Sequence, residues 1–231
     1  MMKLTYFDIR GLAETSRILL AIGGEEYEDF RYPLNVIDMS TYKMEKEEFD
    51  KDKADGKLKC SLNKLPFLEV DGTVCGSTEE QPETNRVIIP QSKAIERFLA
   101  RRFNLMGENN VQYAQIDSIC ECVRDFKDMY QKVRALSDEE KEAGMVEWFT
   151  VTLVERLSLL ENLLGEEGYS VGGKLSLADV VLYAFITQFF DNKEASYNAT
   201  LATPRLRKIV DNVSQHEKVV EWLEKRPKTD F

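Results

Sequence analysis

The chain has 231 residues, 43% hydrophobic and 31% charged, with 12 glycines, 6 prolines and 4 cysteines, a composition that excludes collagen-like, disordered and disulfide-scaffold classes. Thirty-one basic against 41 acidic residues leave a formal charge of -10, and that field repels nucleic acid and anionic membrane surfaces. No apolar run approaches the roughly 18 residues needed to span a bilayer, and Met1–Asp8 lacks the basic and apolar run of a leader, so the expected location is cytoplasmic, with no membrane or nucleic-acid partner.

In chain order, Lys3–Phe7 reads as a short strand. Leu12–Ile22 follows as a helix with Ala13, Ile18, Leu19 and Ile22 at helical spacing, closed by Gly23-Gly24. Tyr27–Tyr32 is a second strand, which a helical crossover places parallel to the first. Residues 38–59 are polar, with only Met39, Tyr42, Met44, Phe49 and Leu58 as anchors, so a loosely packed helix or a long loop is expected. Phe67–Asp71, running into Gly72, and Arg86–Ile89 form a hairpin ahead of a helix over Ser92–Phe103. Its connection, a Gly-, Ser-, Thr- and Glu-rich excursion from Thr73, is far longer than the two to five residues such strands usually need, as expected of a surface loop.

From about residue 108 the strand signals stop. Gln112–Leu136, Val146–Leu164, Leu177–Phe190, Arg205–Val213 and Glu217–Lys225 carry apolar residues at three and four spacing, the pattern of an antiparallel helical bundle. Ser176-Leu177-Ala178-Asp179 has the form of a capping box, flanked by Leu175 and Val180 as a hydrophobic staple. Cys60, Cys75, Cys120 and Cys122 match no zinc-ligand spacing, so no metal is expected, and in the cytosol they read as reduced thiols. The only histidine, His216, lies near the C-terminus, which disfavours Ser-His and Cys-His triads. No cysteine opens the first helix, where the dipole would activate it, so thiol redox chemistry is disfavoured too.

A β-α-β, linker, β-β-α unit followed by an all-helical half resembles the cytosolic glutathione transferases, and local strings over the whole chain agree. Leu4-Thr5-Tyr6-Phe7 with Arg10-Gly11-Leu12-Ala13-Glu14 is similar to the start of the sigma class, the group of haematopoietic prostaglandin D synthase and the S-crystallins. Lys64-Leu65-Pro66-Phe67-Leu68-Glu69-Val70-Asp71-Gly72 resembles its proline-preceded third strand, Gln91-Ser92-Lys93-Ala94-Ile95 its glutathione-gripping turn, and Gly172–Asp179 the hallmark of its helical domain. The resemblance implies a thioredoxin-like glutathione-binding domain over 1–105. It implies an all-helical domain over 106–231 that supplies the electrophile site and dimer contacts of a homodimer.

It also implies a reaction, conjugation of the glutathione thiolate to hydrophobic electrophiles in detoxification, with glutathione as co-substrate. The nucleophile must be the thiolate, and the resemblance makes Tyr6 the hydroxyl that stabilises it by a hydrogen bond. Leu65, before a proline expected to be cis, would pair the cysteinyl unit through its backbone. Gln91 and Ser92 would receive the γ-glutamyl carboxylate at a helix N-terminus, with Ser92 also serving as the N-cap. Phe49, where the family carries tryptophan, with Lys53, Lys64 and the backbone of Asn63, would meet the glycine end. Asp125 aligns with the aspartate that reaches across the dimer to the glutathione amino group.

Three features depart from the pattern. Leu12 replaces a second arginine that favours the thiolate, so ionisation should be weakened; Arg10 and Arg17 remain nearby in sequence. The segments 35–63 and 73–90 look long and would reshape the rim of the cleft. Lys127–Gln131 holds no tryptophan of the prostaglandin-synthase kind, which disfavours a dedicated isomerase. A non-catalytic, S-crystallin-like role and a glutathione-dependent isomerase stand as alternatives.

Overall fold

The computed structural model describes residues 1–38, 43–71 and 86–229. The chain divides into two compact units, Met1–Leu99 together with the segment from Arg226, and Ala100–Lys225.

The first unit is built on a four-stranded sheet. Strand β1 (Met2–Phe7) leads through a 3-10 turn at Gly11–Ala13 into helix α1 (Glu14–Gly23). Gly24 ends the helix at φ 65°, its N–H donating to the Ala21 carbonyl, a left-handed stop that suits glycine. Strand β2 (Tyr27–Tyr32) returns parallel to β1, as the helical crossover requires. After the intervening segment, β5 (Phe67–Asp71) runs antiparallel to β1, and β6 (Arg86–Pro90) antiparallel to β5, giving the order β2-β1-β5-β6. Ile18, Leu19 and Leu20 of α1 and Leu4 and Leu68 of the sheet are fully buried. The segment joining β5 to β6, including Cys75, lies outside the described residues.

The described part of 38–59 departs from the expected loosely packed helix or long loop, and the anchors Met39 and Tyr42 lie outside the described residues. Strands β3 (Asn35–Asp38) and β4 (Lys43–Glu45) form a separate antiparallel pair, followed by helix α2 (Glu47–Ala54) and a 3-10 turn at Lys59–Ser61. The segment is not loosely packed. Phe49 and Leu58 are buried with Tyr32 and Phe67, and Phe7, Phe30, Leu65 and Ile88 close around that cluster. Two well-placed apolar side chains in a charged stretch suffice because each meets aromatic rings already fixed by the sheet.

Helix α3 (Ser92–Arg102) leads into the second unit, which is helical throughout its described elements: α4 (Asn110–Arg134), α5 (Asp138–Glu147), α6 (Leu153–Glu161), α7 (Leu177–Ala184), α8 (Lys193–Asn198), α9 (Pro204–Ser214) and α10 (Glu217–Lys225). Asn109 caps α4, accepting at 3.0 Å from the N–H groups of Val111 and Gln112. The single helix expected over 146–164 is instead α5, a π-helical turn at Trp148–Thr152, and α6. A second π turn at Phe185–Phe189 extends α7. The capping box is formed: Asp179 accepts from the Ser176 N–H at 2.7 Å and its hydroxyl at 2.8 Å, and from the Ser170 N–H at 2.6 Å. No described helix is long and apolar enough to cross a membrane.

Candidate active site

Tyr6 stands at the C-terminal end of β1, with only 6% of its surface exposed. The chain folds back over its ring at Gly11, which takes φ 41°; a Cβ there would sit 2.7 Å from the Tyr6 hydroxyl oxygen and 2.9 Å from its ring. Only glycine permits that approach. As a result the Leu12 N–H donates to the Tyr6 hydroxyl oxygen at 3.2 Å. Burial raises the phenol's pKa, while the Leu12 bond and the Arg17 charge pull the other way. The hydroxyl therefore stays protonated at neutral pH, and since Leu12 uses it as an acceptor, its own proton remains available to a ligand. Chemically it is a hydrogen-bond donor and no base.

Arg17 is the cation beside Tyr6. Its guanidinium carbon lies 6.0 Å from the Tyr6 ring centroid, and the side chain is fully buried. Nε spans both oxygens of Asp29 at 3.2 and 3.1 Å, and Nη1 donates to the Ile9 carbonyl at 2.7 Å. Asp29 also accepts from Arg31, which reaches Asp8. Glu14, itself buried, has a carboxylate oxygen 3.9 Å from Arg17 Nη1 and a bond from Arg226. The three arginines and three acids alternate, so each buried charge faces its opposite, the condition under which charges tolerate burial. Sequence reasoning named Arg17 but not Asp29, Glu14 or Arg226. The available signal was a charged pair at i and i+3 on the helix face that also carries Ala13 and Ile18. Leu12 is 52% exposed and contributes only its backbone.

Strand register brings the other segments to the same sheet end. Thr5 pairs with Phe67 and Phe67 with Pro90, so one step further the register sets Tyr6, Pro66 and Gln91 at neighbouring strand ends. The Leu65–Pro66 peptide is cis, and among the described residues no hydrogen bond takes up the Leu65 N–H or carbonyl. Gln91 adopts φ 76°, and its carbonyl accepts from Ala94 and Ile95 at 3.0 Å. Gln91 therefore occupies the N-cap position and Ser92 is the first helical residue, which corrects the reading of Ser92 as the cap. Its N–H and that of Lys93 have no acceptor among the described residues, as the first N–H groups of a helix do.

The remaining residues fall in different settings. Phe49 is 5% exposed, its ring 5.1 Å from Phe7 and 5.8 Å from Tyr32; it anchors α2 on the sheet and has no polar donor. Asn63, at φ 56°, already donates its N–H to the Leu58 carbonyl at 2.9 Å. Its carbonyl accepts no bond among the described residues and is the backbone group left for a ligand, while its buried side-chain Oδ1 has no partner. Lys53 and Lys64 are exposed and enter no ion pair among the described residues. Asp125 is an exposed residue of α4 in the second unit. Among the described residues no His, Cys, Asp and Glu group could hold a metal ion.

Comparisons with known proteins bear on the same architecture. Residues 124–226 match the family model described as glutathione S-transferase, C-terminal domain. The chain is 33% identical to haematopoietic prostaglandin D synthase of Gallus gallus over 229 residues, covering 98% of this chain and 97% of that protein. It is 30% identical to glutathione S-transferase 1 of Ascaris suum, covering 99% and 98%. Among solved structures, a monomeric glutathione S-transferase of the hookworm Necator americanus superposes with a TM-score of 0.77 at 27% identity, covering 100% of this chain and 99% of that one. The chain belongs to the glutathione S-transferase family, and within it to the sigma-like group whose motifs its sequence carries.

Proposed function

We propose that this protein is a glutathione transferase in which the Tyr6 hydroxyl donates a hydrogen bond to the glutathione sulfur and holds it as the thiolate that attacks hydrophobic electrophiles, the thiol proton having passed to solvent. One observation carries the reading: the Tyr6 hydroxyl accepts from the Leu12 N–H at 3.2 Å and is kept protonated by burial, which leaves it one role at the strand end, that of donor. A donor to sulfur stabilises the charged form and lowers the thiol pKa.

The surrounding features support an extended anionic peptide. The unpaired Leu65 N–H and carbonyl offer two strand-like bonds to the cysteinyl unit. Gln91 with the free Ser92 and Lys93 N–H groups would receive the γ-glutamyl carboxylate at the start of α3. Lys53 and Lys64 would meet the glycine carboxylate, with Asn63 taking part in the glycine end through its backbone carbonyl, and Phe49 would act by fixing α2. Asp125 would reach the glutathione amino group of the other subunit in a homodimer. Residues 1–105 would thus hold glutathione, and 106–231 the electrophile and the dimer contacts, in a cytosolic detoxifying enzyme. The relation to a prostaglandin D synthase favours glutathione-dependent isomerisation as a second reading, although Lys127–Gln131 lacks tryptophan.

The test is retention on immobilised glutathione together with turnover of a generic aryl halide. Failure of both refutes the assignment, and turnover unchanged by Tyr6→Phe would require another catalytic group.

A further inference from the structure

The last described segment of the chain returns to the first unit at Arg226, which bonds Glu14 on α1, 212 residues away in sequence. Glu14 lies 3.9 Å from Arg17 Nη1. Arg17 in turn stands over the Tyr6 ring, and its Nη2 is buried without a hydrogen bond among the described residues. The contacts thus run in line from the C-terminal segment to the hydroxyl assigned above. Around Arg17 the charged groups are Glu14 and Asp29, with Arg31 and Asp8 behind Asp29 and the Tyr27 phenol within their field.

We propose that Arg226 is a positioning residue for the reaction: by offsetting the Glu14 charge it keeps Arg17 over Tyr6, so the C-terminal segment tunes the donor hydroxyl. This rests on the assignment of Tyr6 as the thiolate donor. Arg17 is held at Nε by Asp29 and at Nη1 by two main-chain carbonyls, of Ile9 and Arg10. Glu14 lies 3.9 Å from the same Nη1 that bonds those carbonyls, and its attraction for Arg17 grows once Arg226 is removed. Arg17 then moves toward Glu14, and the region around Tyr6 gains negative potential. Removing the Glu14 charge has the opposite sign, since Arg17 and Arg226 remain. Two substitutions in one ion pair should therefore move the same titration in opposite directions. A purely structural pair would not behave so, because breaking it from either side loosens the same contact.

The experiment titrates the absorbance of the glutathione thiolate on the full-length protein and, without ligand, the Tyr6 ring carbon resonance assigned by its loss in Tyr6→Phe. Arg226→Ala should raise the bound-thiol pKa by about half a pH unit, and Glu14→Gln should lower it by a similar amount, the size expected of one charge acting through a partly solvated medium. Arg226→Lys should restore the wild-type titration. Lys225→Ala, which removes an exposed charge paired only loosely with Glu221 at 3.9 Å, should leave it unmoved. The proposal is overturned if Arg226→Ala titrates as wild type, or if both ion-pair variants shift the same way. Opposite shifts of the Tyr6 resonance in a protein whose bound thiol does not depend on Tyr6 would uphold the coupling and overturn the thiolate reading alone.

Discussion

Replacing Tyr6 by Phe removes one oxygen and isolates the role of the hydroxyl. A free thiol near pKa 8.5 is about 3% ionised at pH 7. A hydrogen bond to a charged acceptor contributes about 1.5–3 kcal/mol, which corresponds to about 1–2 units of thiol pKa. Tyr6→Phe should therefore raise the bound-thiol pKa by about 1–2 units and, at pH 7, lower turnover roughly 8- to 25-fold, the ratio of ionised fractions on either side of that shift, with glutathione affinity nearly kept because Leu65, Gln91 and Ser92 still grip the peptide. The Leu12 N–H, which now donates to Tyr6 at 3.2 Å, also loses its acceptor, at a stability cost of about 1–3 kcal/mol. The assay is the pH dependence of kcat/KM with an aryl halide, alongside direct titration of the bound thiolate. Above both pKa values the thiol ionises unaided and the variant should recover most of the wild-type rate. A loss that stays constant across the whole pH range would refute the reasoning, because it would mean that the ring positions the sulfur and the hydroxyl does not ionise it.

Three further outcomes follow from the same structure. Leu12→Arg places a cation at an exposed position whose backbone already touches the Tyr6 oxygen; the bound-thiol pKa should fall by about half a unit or more, seen as a leftward shift of the pH–rate profile. Asp179→Ala strips two N–H groups and one hydroxyl of their acceptor in the helical unit and should destabilise it by about 2–4 kcal/mol, measured as a lower urea midpoint with unchanged slope. Burial, with a smaller effect from Asp191, pushes the Tyr130 phenol up to about 12. Its folded value thus exceeds the unfolded value near 10, so the stability it contributes is complete below pH 10 and is lost as pH rises toward 12. Tyr130→Phe should flatten that alkaline decline in urea titrations of the unfolding midpoint.

The elements that could be read from the sequence are those whose burial writes a period into it. Helices α1 and α9 and strand β1 each bury several side chains, and the structure places them within two residues of the expected ends; β2 and α10 also lie where expected, although each fully buries only one side chain, Tyr32 and Val219. Helix α5 buries no side chain at all and α8 only Ser196, so neither has an apolar stripe to read. Strands β3 and β4, four and three residues long, are too short for alternation to register. The π turns leave no mark because an inserted residue keeps the helical character of its neighbours. At the site, Tyr6 and Leu65–Pro66 were legible because each lies within a short contiguous motif. The charge network around Arg17 was not, since its partner Asp29 lies 12 residues away and Arg226, through Glu14, comes from the other end of the chain.

The net charge of -10 opposes an anionic tripeptide only if it acts as a whole, and at physiological ionic strength exposed charges are felt over about 8 Å. What matters at the sheet end is which charges are already occupied. Asp29 is shared by Arg17 and Arg31, Glu14 is met by Arg226, and Asp52 takes both Lys57 and the Tyr32 hydroxyl. Lys53 and Lys64 enter no ion pair among the described residues, and the Ser92 and Lys93 N–H groups add the positive end of α3. Asp29, Glu14 and Asp52 are thus drawn into internal pairs, while Lys53, Lys64 and the start of α3 stay open to the carboxylates of a ligand. Tyr6 completes the arrangement because a protonated phenol can hold a thiolate without adding charge of its own. A fixed cation at Leu12 would hold it more strongly, and its absence leaves ionisation to the hydroxyl and to the buried Arg17 behind the ring.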